Sequence, residues 1–270
     1  MKSLNILSSA KSVAKVLLQS HRSRIASAHR EQPLIIMANG PSLAQTIAQY
    51  GPTLESHPTM AVNFAANATE FKQLRPRYYV LADPHFFNPQ GDNNVHRLIG
   101  NLNGVDHEMT IFIPFGQKLE IANPRVKVEY FNMVGAEGAR WLTTALYRSG
   151  RAMPRPRNVL IPAIMIGMLI GYKEIYLTGA DHSWMRTLSV DDDNRVVTVQ
   201  PHFYKDNESE HKRVTSVYAN ITLPQIIESF YIAFNAYHQI ADFATREGVT
   251  IYNSTPESFI DAFKRSSLPE

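Results

Sequence analysis

Leu34-Ile35-Ile36-Met37-Ala38-Asn39-Gly40-Pro41-Ser42-Leu43 is the stretch whose reading decides the fold. A short apolar run bounded by polar residues reads as a buried strand. It stops at a small-residue turn, after which Ser42 is placed to cap a helix running to Gln49. A strand that feeds a tight turn into a helix leaves backbone N–H groups aimed outward. Those donors and the helix dipole favour an anion, commonly a phosphate. Gly40 would let a ligand approach the backbone and Pro41 would fix the turn. The turn has one glycine and lacks the full dinucleotide fingerprint, so an ordinary strand-to-helix connection reads equally well here.

Outward from this stretch, strand and helix patterns alternate. Thr59–Phe64, Tyr78–Ala82, Met109–Pro114, Val126–Phe131, Lys173–Leu177 and Val249–Tyr252 read as strands. Residues 93–103, Ala136–Tyr147, Pro162–Gly171 and Leu223–Glu247 read as helices, the last stopping at Gly248, and Asn253-Ser254-Thr255-Pro256 should lead into a closing helix. This spacing predicts an α/β fold, a Rossmann-like, mostly parallel sheet with helices on both faces. From about 185 to 220 the pattern changes. Asp191-Asp192-Asp193-Asn194 reads as a hairpin tip and residues 201–220 as polar with scattered aromatics, together a lid insertion over the sheet's carboxyl edge. The domain would span 33–270, preceded by a basic amphipathic segment over 1–32 that is helical across 4–28.

With 270 residues and 44% hydrophobic content the chain can bury a full core, and no apolar run is long enough to cross a bilayer. The segment 1–30 shows no secretory signal, and the lack of cysteine fits a cytoplasmic location. The net charge of +3 is unevenly distributed: residues 1–30 carry six cations and no acid, leaving 21 of the 27 Lys and Arg against all 24 Asp and Glu elsewhere. A mildly acidic body argues against a nucleic-acid partner. Two roles suit the N-terminal helix: lying on an anionic membrane surface, or packing on the domain or on a second subunit in a homo-oligomer.

Ligands of open α/β sheets bind outside the carboxyl ends of the strands. The residues just past those ends are Asn39-Gly40, Asn63, Asp83-Pro84-His85, Asp181-His182 and Asn253-Ser254-Thr255. Singly each reads as a cap or turn; their recurrence at one edge marks a candidate site.

On these residues the chain resembles a known superfamily. Asn39-Gly40-Pro41-Ser42-Leu43 is similar to the opening motif of bacterial family 42 sialyltransferases and of the related DUF115 proteins, which include motility-associated-factor glycosyltransferases and 6-hydroxymethylpterin diphosphokinases. Gly171 to Asp181 is similar to the sialyltransferase segment in which a helix enters a strand and then a Gly-x-Asp turn, and Phe203-Tyr204-Lys205-Asp206-Asn207 to its Asn-Phe-x-x-Asp-Asn stretch. The resemblance implies a cytoplasmic glycosyltransferase that moves a CMP-activated sialic-acid-like or other acidic sugar (a CMP-sugar donor) to a cell-surface glycan or lipid-linked (glycolipid) acceptor, as in lipopolysaccharide or capsule biosynthesis of bacteria; the charge of residues 1–30 would add peripheral contact with the membrane. It implies that Asn39 and Ser42, with Gly40 and Pro41, hold the nucleotide and that Asn63 touches its phosphate or ribose. A histidine after the Asp-Asn pair would be the general base: His211 is the nearest match, beside Glu208 and Glu210, and His202 lies in the same lid. Asp83 replaces an asparagine that contacts the donor in those enzymes, and Asn158 to Pro162 replaces a Thr-Ser-Gly turn. Gly179, Asp181, His182 and Trp184 line the Gly-x-Asp turn, where a phosphate-binding tyrosine is expected; Tyr204 or Tyr218 would supply one.

No cofactor follows from this reading. The alternative, a pyrophosphokinase of the pterin type, implies ATP with Mg²⁺ on Asp83 and Asp181; a further alternative is a non-catalytic nucleotide-binding protein. Asp191-Asp192-Asp193 has the Asp-x-Asp spacing of metal-dependent glycosyltransferases, but at a hairpin tip such a run reads as a solvated turn, and no metal site is assigned.

Overall fold

The structure, a computed structural model, describes residues 2–197 and 221–270. Helix α1 (Lys2–Gln19) precedes β1 (Leu34–Met37), α2 (Ser42–Ser56) and β2 (Thr59–Val62). Then follow α3 (Phe71–Leu74), β3 (Tyr78–Val80), α4 (Asn93–Asn103), β4 (Met109–Pro114) and β5 (Val126–Phe131). Helices α5 (Arg140–Arg148) and α6 (Leu160–Ile170) lead to β6 (Glu174–Thr178) and the hairpin β7 (Ser189–Val190) and β8 (Val196–Val197). The long α7 (Leu223–Glu247), β9 (Thr250–Asn253) and β10 (Lys264–Arg265) close the order.

The main sheet has eight strands in the order β10-β9-β6-β1-β2-β3-β4-β5, and every pair in it is parallel. From β1 the chain winds outward to β5, then returns to place β6 on the other side of β1, so the strand order reverses between β1 and β6. Strands buried on both faces read as unbroken apolar runs rather than alternating ones, and β1 follows that rule. Leu34 and Ile36 join a core with α6, α7 and Val16 of α1, while Ile35 and Met37 join one with α2, α3 and α4. The fold is the expected Rossmann-like α/β sheet covered on both faces.

Local chemistry explains the helix boundaries. α6 is apolar all round because it is buried all round, and it ends at Gly171 in the left-handed region. α7 opens with a capping box between Thr222 and Gln225 and ends at Gly248, also left-handed. α2 is kinked at Tyr50, where Pro52 removes a helical donor.

Four expectations are corrected. The N-terminal helix stops at Gln19 rather than 28; the chain beyond is held by scattered polar contacts, Ser20 Oγ donating to Arg151 O (2.7 Å), Asn132 pairing with both His21 N–H and His21 O (2.8 Å each) and Ala28 N–H donating to Ile170 O (3.0 Å). The helix expected from Ala136 starts at Arg140, because 135–139 runs extended beside Met153 and α1. No closing helix follows Pro256. There the Arg265 guanidinium collects the carbonyls of Thr255, Ser258 and Ile260, and Asn253 Nδ2 also donates to Ile260 O, holding an irregular loop instead. Ser42 begins α2 but does not cap it, since its hydroxyl points elsewhere.

Candidate functional site

The two turns at the strand-order reversal are clasped together. Ala38 N–H donates to Thr178 O and Gly40 N–H to Gly179 O, both at 2.8 Å. Ser42 Oγ donates to Asp181 Oδ2 at 2.8 Å, and the Ser42 N–H faces the same oxygen at 3.4 Å. The anion at the N-terminus of α2 is therefore the protein's own carboxylate, which occupies the place expected for a phosphate. Gly40 is required for a different reason than ligand approach: a Cβ there would lie 2.0 Å from Asp181 Oδ2 and 2.5 Å from Gly179 O. Gly179 is left-handed (φ 65°), and a Cβ on it would meet Ala38 O at 2.4 Å. Pro41 sits at the helix start with helical φ/ψ. On the β9 side of this clasp lies a groove of about 650 Å³ bounded by Gln45, Gln49, Ser254 and Arg265.

On the β2 side the polar residues are differently disposed. Asn39 Nδ2 donates to Val62 O at 3.0 Å, while its Oδ1 is buried with no hydrogen-bond partner among the described residues. Asn63 follows directly, in the left-handed region (φ 48°), its carbonyl accepting from the Tyr79 hydroxyl and its Oδ1 likewise buried and unpaired among the described residues. Tyr79 in turn accepts from Ala66 N–H at 2.9 Å, and burial pushes its phenol well above the usual range. Asp83 caps the short turn Pro84–Phe87 by accepting from His85 N–H (2.9 Å). His85 Nε2 lies 2.8 Å from Asp92 Oδ2, and Asp92 caps α4. Partial burial pushes the Asp92 carboxyl up, but hydrogen bonds from His85 and Asn94 outweigh it and hold the group below the usual carboxylate range.

His182 is the most committed of the predicted residues. Its Nε2 is 2.6 Å from Tyr237 Oη, which donates to Asn158 Oδ1 at 3.0 Å. Asn158 Oδ1 also accepts Leu160 N–H (3.0 Å) at the start of α6, which identifies that atom as the oxygen. The Tyr237 proton is thereby assigned to Asn158, so His182 carries its proton on Nε2. Burial pushes the imidazole down to about 3, leaving it neutral and a poor base at neutral pH. Its ring packs 4.2 Å from that of Trp184, which packs 5.5 Å from Phe230 of α7. Trp184, Leu188 and Val196 form a small apolar cluster with Ile226 and Phe230, fastening the lid hairpin to the first turns of α7.

The Asp191-Asp192-Asp193 run is the hairpin tip, where Arg195 pairs with Asp191 (2.9 Å) and Asp193 (2.6 Å). His202, Tyr204, His211 and Tyr218 lie outside the described residues. Thus the structure brings Asn39, Gly40, Pro41, Ser42, Asn63, Asp83, Gly179, Asp181, His182 and Trp184 to the carboxyl edge, as two groups flanking β1. Sequence reasoning missed the Tyr237–Asn158 relay and the Asp92 partner of His85. Asp92 had a local signal, an Asp two residues before Asn94 at the head of an amphipathic helix; Tyr237 had none, being 79 residues from Asn158.

No family model matches the chain, and no curated protein matches it. Among solved structures it is similar to the MAf glycosyltransferase from Magnetospirillum magneticum AMB-1, with a TM-score of 0.49 and 10% identity over 92% of this chain. The chain spans 35% of the length of that protein.

Proposed function

We propose that the chain is a glycosyltransferase that moves a CMP-activated sialic-acid-like or other acidic sugar to a cell-surface glycan or lipid-linked acceptor. The observation that carries this reading is a set of buried amide atoms at the carboxyl edge that are unpaired among the described residues: Asn39 Oδ1, Asn63 Oδ1 and Asn158 Nδ2. Unpaired buried polar atoms cost about 1–3 kcal/mol each; two acceptors suit the amino and hydroxyl donors of a nucleobase and its ribose, and one donor suits an anionic oxygen. In this reading Asn39 and Asn63 hold the cytidine and Asn158 Nδ2 donates to the phosphate or the sugar carboxylate, each after a side-chain rotation that opens an atom now closed to solvent. Since Asp181 already occupies the α2 N-terminus, the remaining phosphate donors come from the lid, Trp184 and Tyr204.

In the reaction the acceptor hydroxyl attacks the anomeric carbon, the bond from that carbon to the phosphate oxygen breaks, and CMP departs. The hydroxyl proton goes to a base, assigned to His211 on the motif resemblance, with His202 second. Among the described residues His85 is the histidine oriented by a carboxylate at this edge, and it belongs in the same mutational series. Asp83 beside it would contact the donor or the acceptor.

Thermal-shift measurements with CMP, CDP, ATP and ADP, with and without Mg²⁺, test the reading. CMP should stabilise the protein without metal, by about 2.7 kcal/mol at 100 times its dissociation constant. Stabilisation by ATP alone, and only with Mg²⁺, would replace sugar transfer by pyrophosphoryl transfer. Silence towards all four would leave a non-catalytic protein.

A further inference from the structure

We propose that α1 seats the domain on an anionic lipid surface, through a face the structure leaves turned outward; this goes beyond the sugar-transfer reading and does not depend on it. The helix docks on the domain through its small, polar side. Ser12 Oγ donates to Glu137 O (2.7 Å) and accepts Glu137 N–H (2.8 Å), and Ser9 Oγ accepts Ala139 N–H (2.8 Å). Gly138 (φ 124°) makes room for this clasp, since a Cβ there would lie 2.4 Å from Ser9 Oγ. Among the described side chains of the helix, Val16 is the large apolar one that is buried.

The opposite side is apolar and exposed. Leu17 and Leu18 are 74% and 83% exposed, Ile6 71%, and Leu7 and Val13 also face outward. At 100° per residue these, with Ala10 and Ala14, share an arc of roughly 140°. An amphipathic helix that serves only its own fold presents such a stripe inward; this one presents it outward. Lys11 and Lys15 follow the arc around one edge, and Arg22 and Arg24 come just after the helix. None of these four forms an ion pair among the described residues, and residues 1–30 contain no acid to neutralise them. Trp141, two residues past the Ala139 N–H held by Ser9, is 75% exposed, and exposed tryptophan favours the lipid headgroup level.

Charge decides the occupant. A second copy packed stripe to stripe would bring two sets of unneutralised cations together, whereas a bilayer containing phosphatidylserine supplies anions and an apolar layer at once. No helix among the described residues is long and apolar enough to cross a membrane, so the contact is one of lying on the surface.

Co-sedimentation of the full chain with vesicles of phosphatidylcholine, alone or with phosphatidylserine, tests the proposal. The protein should partition to the anionic vesicles only, and 0.5 M salt should release it. Lys11→Gln and Lys15→Gln should each weaken partition about fivefold, from about 1 kcal/mol per basic residue near the surface. Leu17→Glu with Leu18→Glu should weaken it at least tenfold with an unchanged urea midpoint, because both side chains are exposed. The proposal is overturned if the wild-type chain ignores anionic vesicles, or if the double glutamate variant still binds them. A dimer in analytical ultracentrifugation that Leu17→Glu dissociates would assign the face to a second copy instead.

Discussion

Gly40→Ala offers the sharpest test of the clasp between the two turns. The added Cβ would lie 2.0 Å from Asp181 Oδ2, 2.9 Å from Asp181 Cγ and 2.5 Å from Gly179 O. One of these neighbours is a backbone carbonyl already accepting the Gly40 N–H, so it cannot simply rotate away. The Asp181 side chain can, but only by releasing Ser42. Overpacking of this kind costs about 1–3 kcal/mol, and a lost hydrogen bond to a charged group about 1.5–3. The expected total is about 3–5 kcal/mol, a drop in Tm on the order of 6–20 °C for a chain of this size. In an Asp181→Ala background, which removes the two Asp181 contacts and leaves the one to Gly179, the same substitution should cost less, with a coupling of about 1–2 kcal/mol. Urea unfolding of the four proteins of this cycle measures both quantities. If Gly40→Ala leaves the midpoint unchanged but abolishes the response to CMP, the glycine serves a ligand after all and the reasoning fails. Equal costs in the two backgrounds would show that Asp181 is not what fills the space.

His182, neutral in the fold with its pKa near 3, must charge on unfolding below about pH 6.5. The unfolded state then binds more protons, so stability falls as pH drops from 6.5 towards 3, by up to ~1.36 kcal/mol per pH unit; urea midpoints between pH 7 and 4 should decline less steeply for His182→Gln, and parallel declines would refute the assignment. Asn253→Ala should cost about 2–4 kcal/mol in the same assay, because Asn253 is buried and its amide joins Ser258 Oγ, Ile260 O and Thr255 N–H, so that its loss strands several buried groups. Of His211, His202 and His85, the one that is the base should lose roughly 10²–10⁴-fold in kcat on replacement by Ala with little change in donor affinity; if all three variants keep kcat, the base is none of them.

Much of the fold was legible because buried parallel strands and capped helices carry local signals. The bounds of α7 follow from Thr222, Pro224 and Gly248, and the Asp191–Asn194 tip follows from turn chemistry. The site was legible only as an edge, a row of polar residues after apolar runs. Its wiring was not. Ser42 looks like a cap because Ser usually is one, but its partner Asp181 lies 139 residues away and leaves no trace beside it. The same contact inverts the meaning of Gly40, whose missing side chain makes room for protein. Residues after Thr255 looked like a helix start, yet Arg265, eight residues beyond Glu257, had already engaged the carbonyls there.

Helix α7 is much longer than the strands beside it. Its 25 residues extend about 37 Å at 1.5 Å each, while β6 and β9, with five and four residues, extend only about 13–17 Å. Its carboxyl-terminal half is seated in the core by Ile240 and Phe243, and among the described residues its first turns pack against Trp184, Leu188, Val196 and Ile221. The helix is thus a cantilever with two packed ends, joined at Phe234, which touches both clusters. Deleting one residue between Phe230 and Ala233 would turn Ile226 and Phe230 by about 100° relative to the seated half, unhooking the hairpin while Ile240 and Phe243 stay in place. A single-residue change in this helix can therefore release the hairpin and leave the packing of Ile240 and Phe243 in place.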